Sequence, residues 1–355
     1  MGGDIGMNKP TYALALAGGG TRGAFEVGVW QALKELGIEI SAIVGTSIGA
    51  VNGAVFASGV ESEELWKNIS ATDIIDIEGD NMFSFASLIS TIKQIANGGV
   101  DATAFDEFLT KHIDEDKIRN SKIEYGLCTY RTDTKETKEL FVDEIPQGEL
   151  VDYIAASANF PVFKRKKIDG IEYIDGGVKN NLPINMLIEK GYNTIITVTV
   201  KGIGLTKNID HSGINLIDIN CRTPEVGIME FDTDGISRSI KSGYYECMRV
   251  FGKYAGKLYS ITPQSYNNAQ LIYGKDLING VEAASIMCGI DPYRVYTFDE
   301  LCNKLMINYK YSKKLSLLVK AMSSAIPARG VLERLGKFYS AANAVVYLKK
   351  QKKIT

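Results

Sequence analysis

Short apolar runs alternate with segments of helical periodicity in the first part of the chain. Residues 12–17 form an apolar run that ends in glycines, which predicts a buried strand, and residues 24–36 place apolar side chains at helical spacing. Residues 42–44 predict a second strand, and Ile48–Ser58 predicts a buried helix. Two strand–helix pairs at this spacing predict a parallel sheet covered by helices, and therefore an α/β fold.

The same alternation continues to about residue 200, and the pattern then becomes helical and more polar. Residues 62–109 are predicted to be mostly helical and irregular, as in a cap region. The other predicted elements are strands at 123–130, 139–142, 171–174 and 194–200, and helices that end before 161 and span 184–190. Three parts are predicted: a disordered or tag-derived N-terminus at 1–11, a main domain at 12–220 and a mostly helical region at 221–355.

Composition and charge narrow the classes of protein to consider. Of the 355 residues, 45% are hydrophobic and 23% are charged, as in an ordinary soluble globular protein. The net charge of -2 gives no basic bias, so no nucleic acid is expected as a partner. The N-terminus has no apolar signal core and no segment is long enough to span a bilayer, so a cytoplasmic location is expected. Five scattered cysteines without a C-x-x-C pair favour reduced thiols, and neither a metal nor a cofactor is predicted.

The first stretch with candidate chemistry is GGGTRG at residues 18–23, where the first strand turns into a helix. Glycines let the backbone approach a ligand closely, and the helix N-terminus adds unpaired N–H donors that stabilise a negative charge. The string also fits the G-x-G-x-x-G dinucleotide motif. A dinucleotide site requires an acidic residue after the second strand. Glu39 precedes that strand, which argues against a nucleotide site.

The next strand-to-helix turn carries the sequence Gly45-x-Ser47-x-Gly49. A sharp turn of this kind lifts the serine hydroxyl above the sheet, and the N–H of Ile48 then faces the same space. Both turns lie at the carboxyl ends of early parallel strands and are expected to face one crevice. A nucleophile beside amide donors is what acyl transfer requires, because the tetrahedral intermediate carries an oxyanion.

A serine nucleophile also needs a base. The two histidines, His112 in a charged helix end and His211 in a polar turn, have the character of surface residues. The order Ser47, Asp175, His211 nevertheless matches the chain order of an α/β-hydrolase triad, so a triad stays open at this point. Asp175 ends a predicted strand before two glycines and is the stronger candidate, although a D-G pair is also common in ordinary turns.

GGGTRG, GTSIG and DGG, in this order, resemble the patatin-like phospholipase family. Two further stretches agree with its pattern, Ala156-Ser157-x-x-x-Pro161 and Asn181-x-Pro183, and the match covers about residues 12–200. The resemblance implies a three-layer α/β fold with a mainly parallel central sheet, and a lipid acyl ester as the substrate.

The resemblance also implies a Ser–Asp dyad that requires no histidine. Ser47 would attack the ester carbonyl, and Asp175 would act as base and then return the proton to the leaving alcohol. No cluster of metal ligands is visible in the sequence, so hydrolysis is expected without calcium. The implied site is completed by the oxyanion-hole residues Gly18, Gly19, Gly20 and Ile48, and by the supporting residues Arg22, Gly23, Gly45, Gly49, Gly176 and Gly177.

Two other functions stay open from the sequence. One is an α/β-hydrolase that uses Ser47, Asp175 and His211, which is disfavoured because Ser47 follows only the second recognisable strand. The other is a non-catalytic lipid- or nucleotide-binding module whose glycines serve packing.

Two basic segments have alternative interpretations. KRKK at residues 164–167 either attracts anionic headgroups or is the charged edge of a solvated hairpin, which we favour. Residues 315–348, followed by KKQKK, have the spacing of a basic amphipathic helix. Such a helix most often packs on its own domain, and peripheral contact with an anionic membrane is a further hypothesis.

Overall fold

The apolar runs of the sequence form the strands of one mainly parallel sheet. The computed structural model describes residues 11–63, 66, 102–323 and 337–351. The strands of the sheet are β1 (Tyr12–Leu16), β2 (Ile40–Thr46), β3 (Glu124–Arg131), β4 (Glu136–Phe141), β5 (Lys166–Ile168), β6 (Ile171–Asp175), β7 (Thr194–Thr199) and β8 (Asn215–Asn220). The helices around it are α1 (Ala24–Glu35), α2 (Ile48–Ser58), α3 (Thr103–His112), α4 (Glu115–Arg119), α5 (Leu150–Ser157), α6 (Ile184–Glu189) and α7 (Thr233–Val250).

The strands lie in the order β5-β6-β3-β2-β1-β7-β8, and β4 pairs with β3. β3, β2, β1, β7 and β8 run parallel to one another, whereas β4, β5 and β6 are antiparallel to their neighbours. The predicted α/β fold with a mainly parallel sheet is therefore confirmed.

Helices cover both faces of the sheet, because successive side chains of a strand point to opposite faces. Ala15 of β1 belongs to a buried cluster with Leu187 of α6. The next residue, Leu16, lies against Gly49 of α2 on the other face. Tyr125 of β3 donates its O–H to a carbonyl of α2 at 2.7 Å and fixes that helix to the sheet. The result is the expected arrangement of three layers.

The register of β3 brings two distant strand ends together. β4 pairs along one edge of β3 from residue 126 to residue 131. The other edge is shared: Thr46 of β2 is opposite Cys128, and Asp175 of β6 is opposite the next residue, Thr129. Since β2 ends where β6 ends on the same edge, the residue after Thr46 lies close to Asp175.

Most of the predicted elements between residues 12 and 200 are confirmed to within a few residues. β8, at the edge of the sheet, was not predicted, and β5 pairs with β6 as the hairpin edge that we favoured for the basic run. Of the predicted cap, Thr103–His112 is helical. Residues 67–101 lie outside the described residues.

Contacts divide the chain into two compact units, Met1–Cys247 and Met248–Thr355. The predicted domain boundary near residue 220 lies within the first unit and stays a prediction. The second unit is mostly helical, as predicted, and has its own buried core. Its elements are β9 (Ser260–Ile261), α8 (Pro263–Met287), β10 (Val295–Tyr296), α9 (Phe298–Asn308), α10 (Lys313–Ser323) and α11 (Lys337–Gln351). None of the helices in the described ranges combines the length and apolarity that crossing a membrane requires.

Candidate active site

Ser47 occupies the turn from β2 to α2 with backbone angles φ 57° and ψ -127°. A positive φ in a residue other than glycine costs on the order of 1–3 kcal/mol, and the surrounding structure must impose it, as it commonly does at active sites. A Cβ on Gly45 would lie 2.2 Å from the carbonyl oxygen of Gly49, and one on Gly49 would lie 2.5 Å from that of Leu16. The turn that presents Ser47 therefore requires glycine at both flanking positions.

A buried serine of α5 holds this turn in place. The backbone N–H of Ser47 donates to Oγ of Ser157 at 3.0 Å, and the Ser157 hydroxyl donates to the Cys128 carbonyl of β3 at 2.7 Å. Ser157 is fully buried, so water does not replace either bond. The Ala156-Ser157-x-x-x-Pro161 stretch thus joins the Ser47 turn to the neighbouring strand.

Asp175 ends β6 and is buried, with 4% of its surface exposed. Burial raises the pKa of Asp175 to about 6, whereas hydrogen bonds from the Ser47 hydroxyl and the Gly177 N–H favour its charged form. The Gly177 bond is 2.7 Å long. A Cβ on Gly176 would lie 2.3 Å from the Cys128 carbonyl oxygen, so this turn is also restricted to glycine.

The structure therefore places the side chains of Ser47 and Asp175 together in one pocket. The two histidines lie elsewhere. His211 is exposed in a loop, and His112 is held in α3, where its Nδ1 lies 2.8 Å from the carbonyl oxygen of Phe108. Neither histidine is among the described residues that line the pocket around Ser47.

The glycine loop at residues 18–23 borders the same pocket. The N–H of Gly18 donates to the Asn181 carbonyl at 3.1 Å, so this predicted donor is already engaged. Among the described residues, no acceptor binds the N–H groups of Gly19, Gly20 or Ile48. Gly20 has φ 58°, and a Cβ there would lie 2.1 Å from the Ile228 carbonyl oxygen. Three amide donors are thus left beside Ser47.

Arg22 fixes the surroundings of the glycine loop and is not a lining residue of the pocket. Its Nε donates to the Val226 carbonyl at 3.1 Å and its Nη1 donates to the Lys201 carbonyl at 2.5 Å. Gly23 lets the glycine loop approach Ile48 closely, because a Cβ there would lie 2.6 Å from a side-chain carbon of Ile48. Arg22 therefore ties two later loops to the rim of the pocket.

The walls of the pocket are mainly apolar. The polar side chains are those of Ser47, Asp175, Thr21 and Asn181, and no lysine or arginine is among the described lining residues. The remaining walls consist of the glycine loop and of Ile48, Trp66, Phe105, Ala158, Phe160, Phe163, Ile203, Ile228, Met229 and Phe231.

The predicted cap contributes Trp66 and Phe105 to these walls. The indole N–H of Trp66 donates to Oδ1 of Asn52 at 2.9 Å, and the Asn52 amide donates to the buried Glu26 carboxyl group at 2.7 Å. Burial raises the pKa of Glu26 well above its ordinary value. This chain of polar groups fixes one wall of the pocket.

Sequence reasoning missed the lining residues between 228 and 231 and the structural role of Asn181. The Asn181 side-chain amide donates to the Gly18 carbonyl at 3.1 Å, and its backbone N–H donates to the Leu205 carbonyl at 2.6 Å. The Asn181-x-Pro183 stretch was a usable signal for Asn181. Residues 228–231 follow no motif, and only the fold brings them to the pocket.

The basic run at 164–167 is largely paired with carboxylates. Arg165 lies 2.9 Å from Glu172, and Lys166 lies 2.7 Å from Asp106. These pairs fit the edge of a hairpin better than an open site for anionic headgroups. In the described ranges, no group of three or more potential ligand side chains could hold a metal ion.

Comparison with known proteins shows which family this chain is similar to. A model described as patatin-like phospholipase matches residues 14–188. The chain is 31% identical over 195 residues to Patatin-like phospholipase domain-containing protein 7 of Mus musculus, which is 53% of this chain and 13% of that protein. It is 28% identical over 205 residues to Lysophospholipase NTE1 of Candida glabrata, covering 56% of this chain and 11% of that protein.

An uncharacterized NTE family protein of Mycobacterium bovis is 30% identical over 198 residues, covering 55% of this chain and 50% of its own length. The chain therefore spans half or less of the length of these relatives. The crystal structure of VipD from Legionella pneumophila aligns over 96% of this chain and 90% of its own, at 13% identity and a TM-score of 0.44. The matched range contains both Ser47 and Asp175, and residues 14–188 of this chain form a domain that matches the patatin-like phospholipase family model.

Proposed function

We propose that this protein is a serine hydrolase that cleaves acyl ester bonds of lipids with Ser47 as nucleophile and Asp175 as base. The main support for the proposal is that the Ser47 side chain and the buried Asp175 carboxylate lie together in a pocket with apolar walls. The match of residues 14–188 to the patatin-like phospholipase family model supports a lipid substrate.

In the acylation step, Ser47 Oγ attacks the ester carbonyl carbon and its proton passes to Asp175. The carbonyl oxygen becomes an oxyanion, to which the N–H groups of Gly19, Gly20 and Ile48 donate. Preorganised donors of this kind are each worth about 3–4 kcal/mol of barrier. The intermediate then expels the alcohol, which takes the proton from Asp175, and the acyl group stays on Ser47.

In the deacylation step, water replaces the alcohol. Asp175 takes a proton from the water as the water oxygen attacks the acyl-serine carbonyl, and the same N–H groups donate to the second oxyanion. Collapse returns the proton to Ser47 and releases the carboxylic acid. A pKa of about 6 makes Asp175 a stronger base than an ordinary carboxylate while it stays mostly ionised at neutral pH.

The walls of the pocket favour an acyl chain over a headgroup. Aromatic side chains at Phe105, Phe160 and Phe163 surround a space whose only described charged lining group is Asp175. An apolar chain gains about 25 cal/mol per Å² of surface removed from water. A charged headgroup would lose hydration there without a cationic partner, so it stays at the mouth. The name of the Candida glabrata relative makes a lysophospholipid a suitable first substrate.

Hydrolysis of a short-chain nitrophenyl ester, a phospholipid and a lysophospholipid by purified variants tests the proposal. Ser47→Ala and Asp175→Asn should each lower kcat by a factor of roughly a thousand or more. His211→Ala should keep the wild-type rate, because its side chain lies outside the pocket. A comparable loss in His211→Ala would instead favour a triad.

We also propose peripheral contact of the second unit with an anionic membrane. Met248–Thr355 carries 17 lysines and arginines against six aspartates and glutamates, whereas Met1–Cys247 carries 23 against 36. The same unit also exposes apolar side chains, at Ile307, Tyr311 and Leu317. Basic residues interspersed with apolar ones are typical of surfaces that bind anionic lipids.

A further inference from the structure

The loop at residues 201–207, with the sequence KGIGLTK, follows β7 and is here named the rim loop. Its two large apolar side chains face solvent: Ile203 is 69% exposed and Leu205 is 62% exposed. Single exposed apolar residues are common on protein surfaces. Here two exposed apolar residues, separated by one glycine, lie on one short loop at the mouth of a pocket.

The backbone of the rim loop is fixed to the turn that carries Asp175. The N–H of Leu205 donates to the Gly177 carbonyl at 2.9 Å, and the Leu205 carbonyl accepts from the Asn181 N–H at 2.6 Å. A Cβ on Gly202 would lie 1.9 Å from the Gly18 carbonyl oxygen, and one on Gly204 would lie 2.6 Å from that of Gly177. The glycines thus let the loop press against the site, and both apolar side chains point outward.

The apolar surface of the loop is continuous with the interior of the pocket. Ile203 is both exposed and a lining residue, next to Met229 and Phe231 in the same pocket. A water-soluble substrate would gain nothing from apolar side chains outside the mouth. A substrate drawn from a lipid layer would pass from the layer into the pocket without crossing water.

We propose that the rim loop inserts the side chains of Ile203 and Leu205 into the surface of a lipid bilayer, so that the pocket opens directly onto the lipid. The purpose of this contact rests on the proposed function, since the bilayer supplies the ester that reaches Ser47.

The charges around the loop favour apolar insertion over electrostatic attraction. The Lys207 ammonium group lies 2.6 Å from the carboxylate of Glu139, and the Lys201 ammonium group donates to the Arg222 carbonyl. Glu230 and Asp232 are exposed on the nearby segment that carries Met229. Insertion should therefore occur on vesicles of phosphatidylcholine alone.

Flotation with phosphatidylcholine vesicles measures this contact without any hydrolysis. The Ser47→Ala protein is compared with the Ser47→Ala/Leu205→Asp protein. The protein with Leu205→Asp should bind the vesicles at least about tenfold more weakly. Val60→Asp in the same background is the control, because Val60 is 36% exposed just after α2, in the same unit as the rim loop, and is not among the described lining residues of the pocket. Melting temperatures check that each variant is folded.

A second readout is measured on proteins that retain Ser47. It is the ratio of the rate of hydrolysis of vesicle lipid to the rate of hydrolysis of a soluble ester. Leu205→Asp should lower this ratio about tenfold, and Val60→Asp should not. Equal flotation of the Leu205→Asp and parent proteins, or an equal loss in the Val60→Asp control, would overturn the proposal. Soluble-ester hydrolysis that survives Ser47→Ala would instead refute the proposed function, and the flotation result would stand by itself.

Discussion

The backbone N–H of Ser47 donates to Oγ of Ser157 at 3.0 Å, and this bond holds a residue whose φ of 57° is unfavourable for any side chain. Ser157 passes the constraint to β3 through its own 2.7 Å bond to the Cys128 carbonyl. The orientation of the nucleophile thus depends on a hydroxyl that never touches the substrate pocket.

Ser157→Ala should lower kcat about ten- to a hundredfold and leave KM nearly unchanged. The substitution removes the acceptor for the Ser47 N–H and leaves that donor buried, which also costs about 1–3 kcal/mol of stability. Kinetics on a soluble ester and thermal unfolding measure the two effects. Ser58→Ala is the matched control, because the Ser58 hydroxyl bonds only within α2. A loss confined to stability, with kcat intact, would contradict a positioning role.

The rate should depend on the ionisation of Asp175. As a base, Asp175 acts only in its ionised form, which predominates above its pKa of about 6. The value of kcat/KM for a soluble ester should therefore be constant above about pH 7 and fall toward tenfold per unit below about pH 6. A pH–rate profile with wild type and His211→Ala tests this. A midpoint that shifts or disappears in His211→Ala would point to histidine as the base.

Asp175→Asn should make the folded protein more stable at neutral pH while it abolishes activity. Burial raises the pKa of Asp175 in the folded state, so its stabilising contribution is complete below about pH 4 and is lost as the pH rises through about 6. At pH 8 the asparagine variant should exceed wild type by on the order of 2–3 kcal/mol. Denaturant unfolding at both pH values measures the difference, which should vanish near pH 4.

Asp133→Asn is the control with the opposite sign. The Arg131 guanidinium holds the pKa of Asp133 at about 2, so this carboxylate stabilises the fold fully above its ordinary pKa of 3.8 and loses the effect as the pH falls through about 2. Asp133→Asn should give no gain in stability at pH 8. A gain equal to that of Asp175→Asn would show that the effect has another origin than burial.

The basic surface of the second unit makes a separate prediction. Replacing Lys313, Lys314 and Lys320 of α10 by glutamine should weaken flotation with phosphatidylglycerol vesicles at least tenfold, because each lysine near an anionic surface contributes about 1 kcal/mol. The effect should shrink as salt shortens the Debye length from about 10 Å at 0.1 M to about 3 Å at 1 M.

Three lysines with carboxylate partners serve as the control for this charge change. Lys34, Lys117 and Lys190 each lie within 3.3 to 3.6 Å of a carboxylate oxygen. Their replacement by glutamine should leave flotation unchanged. If both triple variants bind phosphatidylglycerol vesicles as wild type does, the second unit has no role in contact with an anionic membrane.

Local patterns were sufficient for the early elements and for the candidate nucleophile. Ile48–Ser58 is helical over its whole predicted length, because its small apolar residues suit a buried helix and Gly59 ends it with φ 74°. Gly45 and Gly49 were recognisable because a sharp turn at Ser47 leaves no space for a Cβ on either side. These are short-range constraints that the sequence states directly.

Long-range contacts were not accessible from the sequence. Nothing near Gly18 indicates that its N–H is already bonded to the Asn181 carbonyl. The glycine string alone therefore does not show which of its N–H groups are free to bind an oxyanion and which are used within the fold. Ser157 is 110 residues from Ser47, and its role follows only from the packing of α5 on β3. β8 was missed because an edge strand with mixed polar and apolar residues has no clear apolar run.

Covalent labelling of the nucleophile is the most direct test of the role of Ser47. Wild type, Asp175→Asn and His211→Ala are incubated with a long-chain fluorophosphonate at pH 8, and the modified peptide is located by tandem mass spectrometry. One adduct is expected, on Ser47, formed equally fast in wild type and His211→Ala and far more slowly in Asp175→Asn. An adduct on another residue, or ester hydrolysis by a protein that forms no adduct, would contradict this role of Ser47.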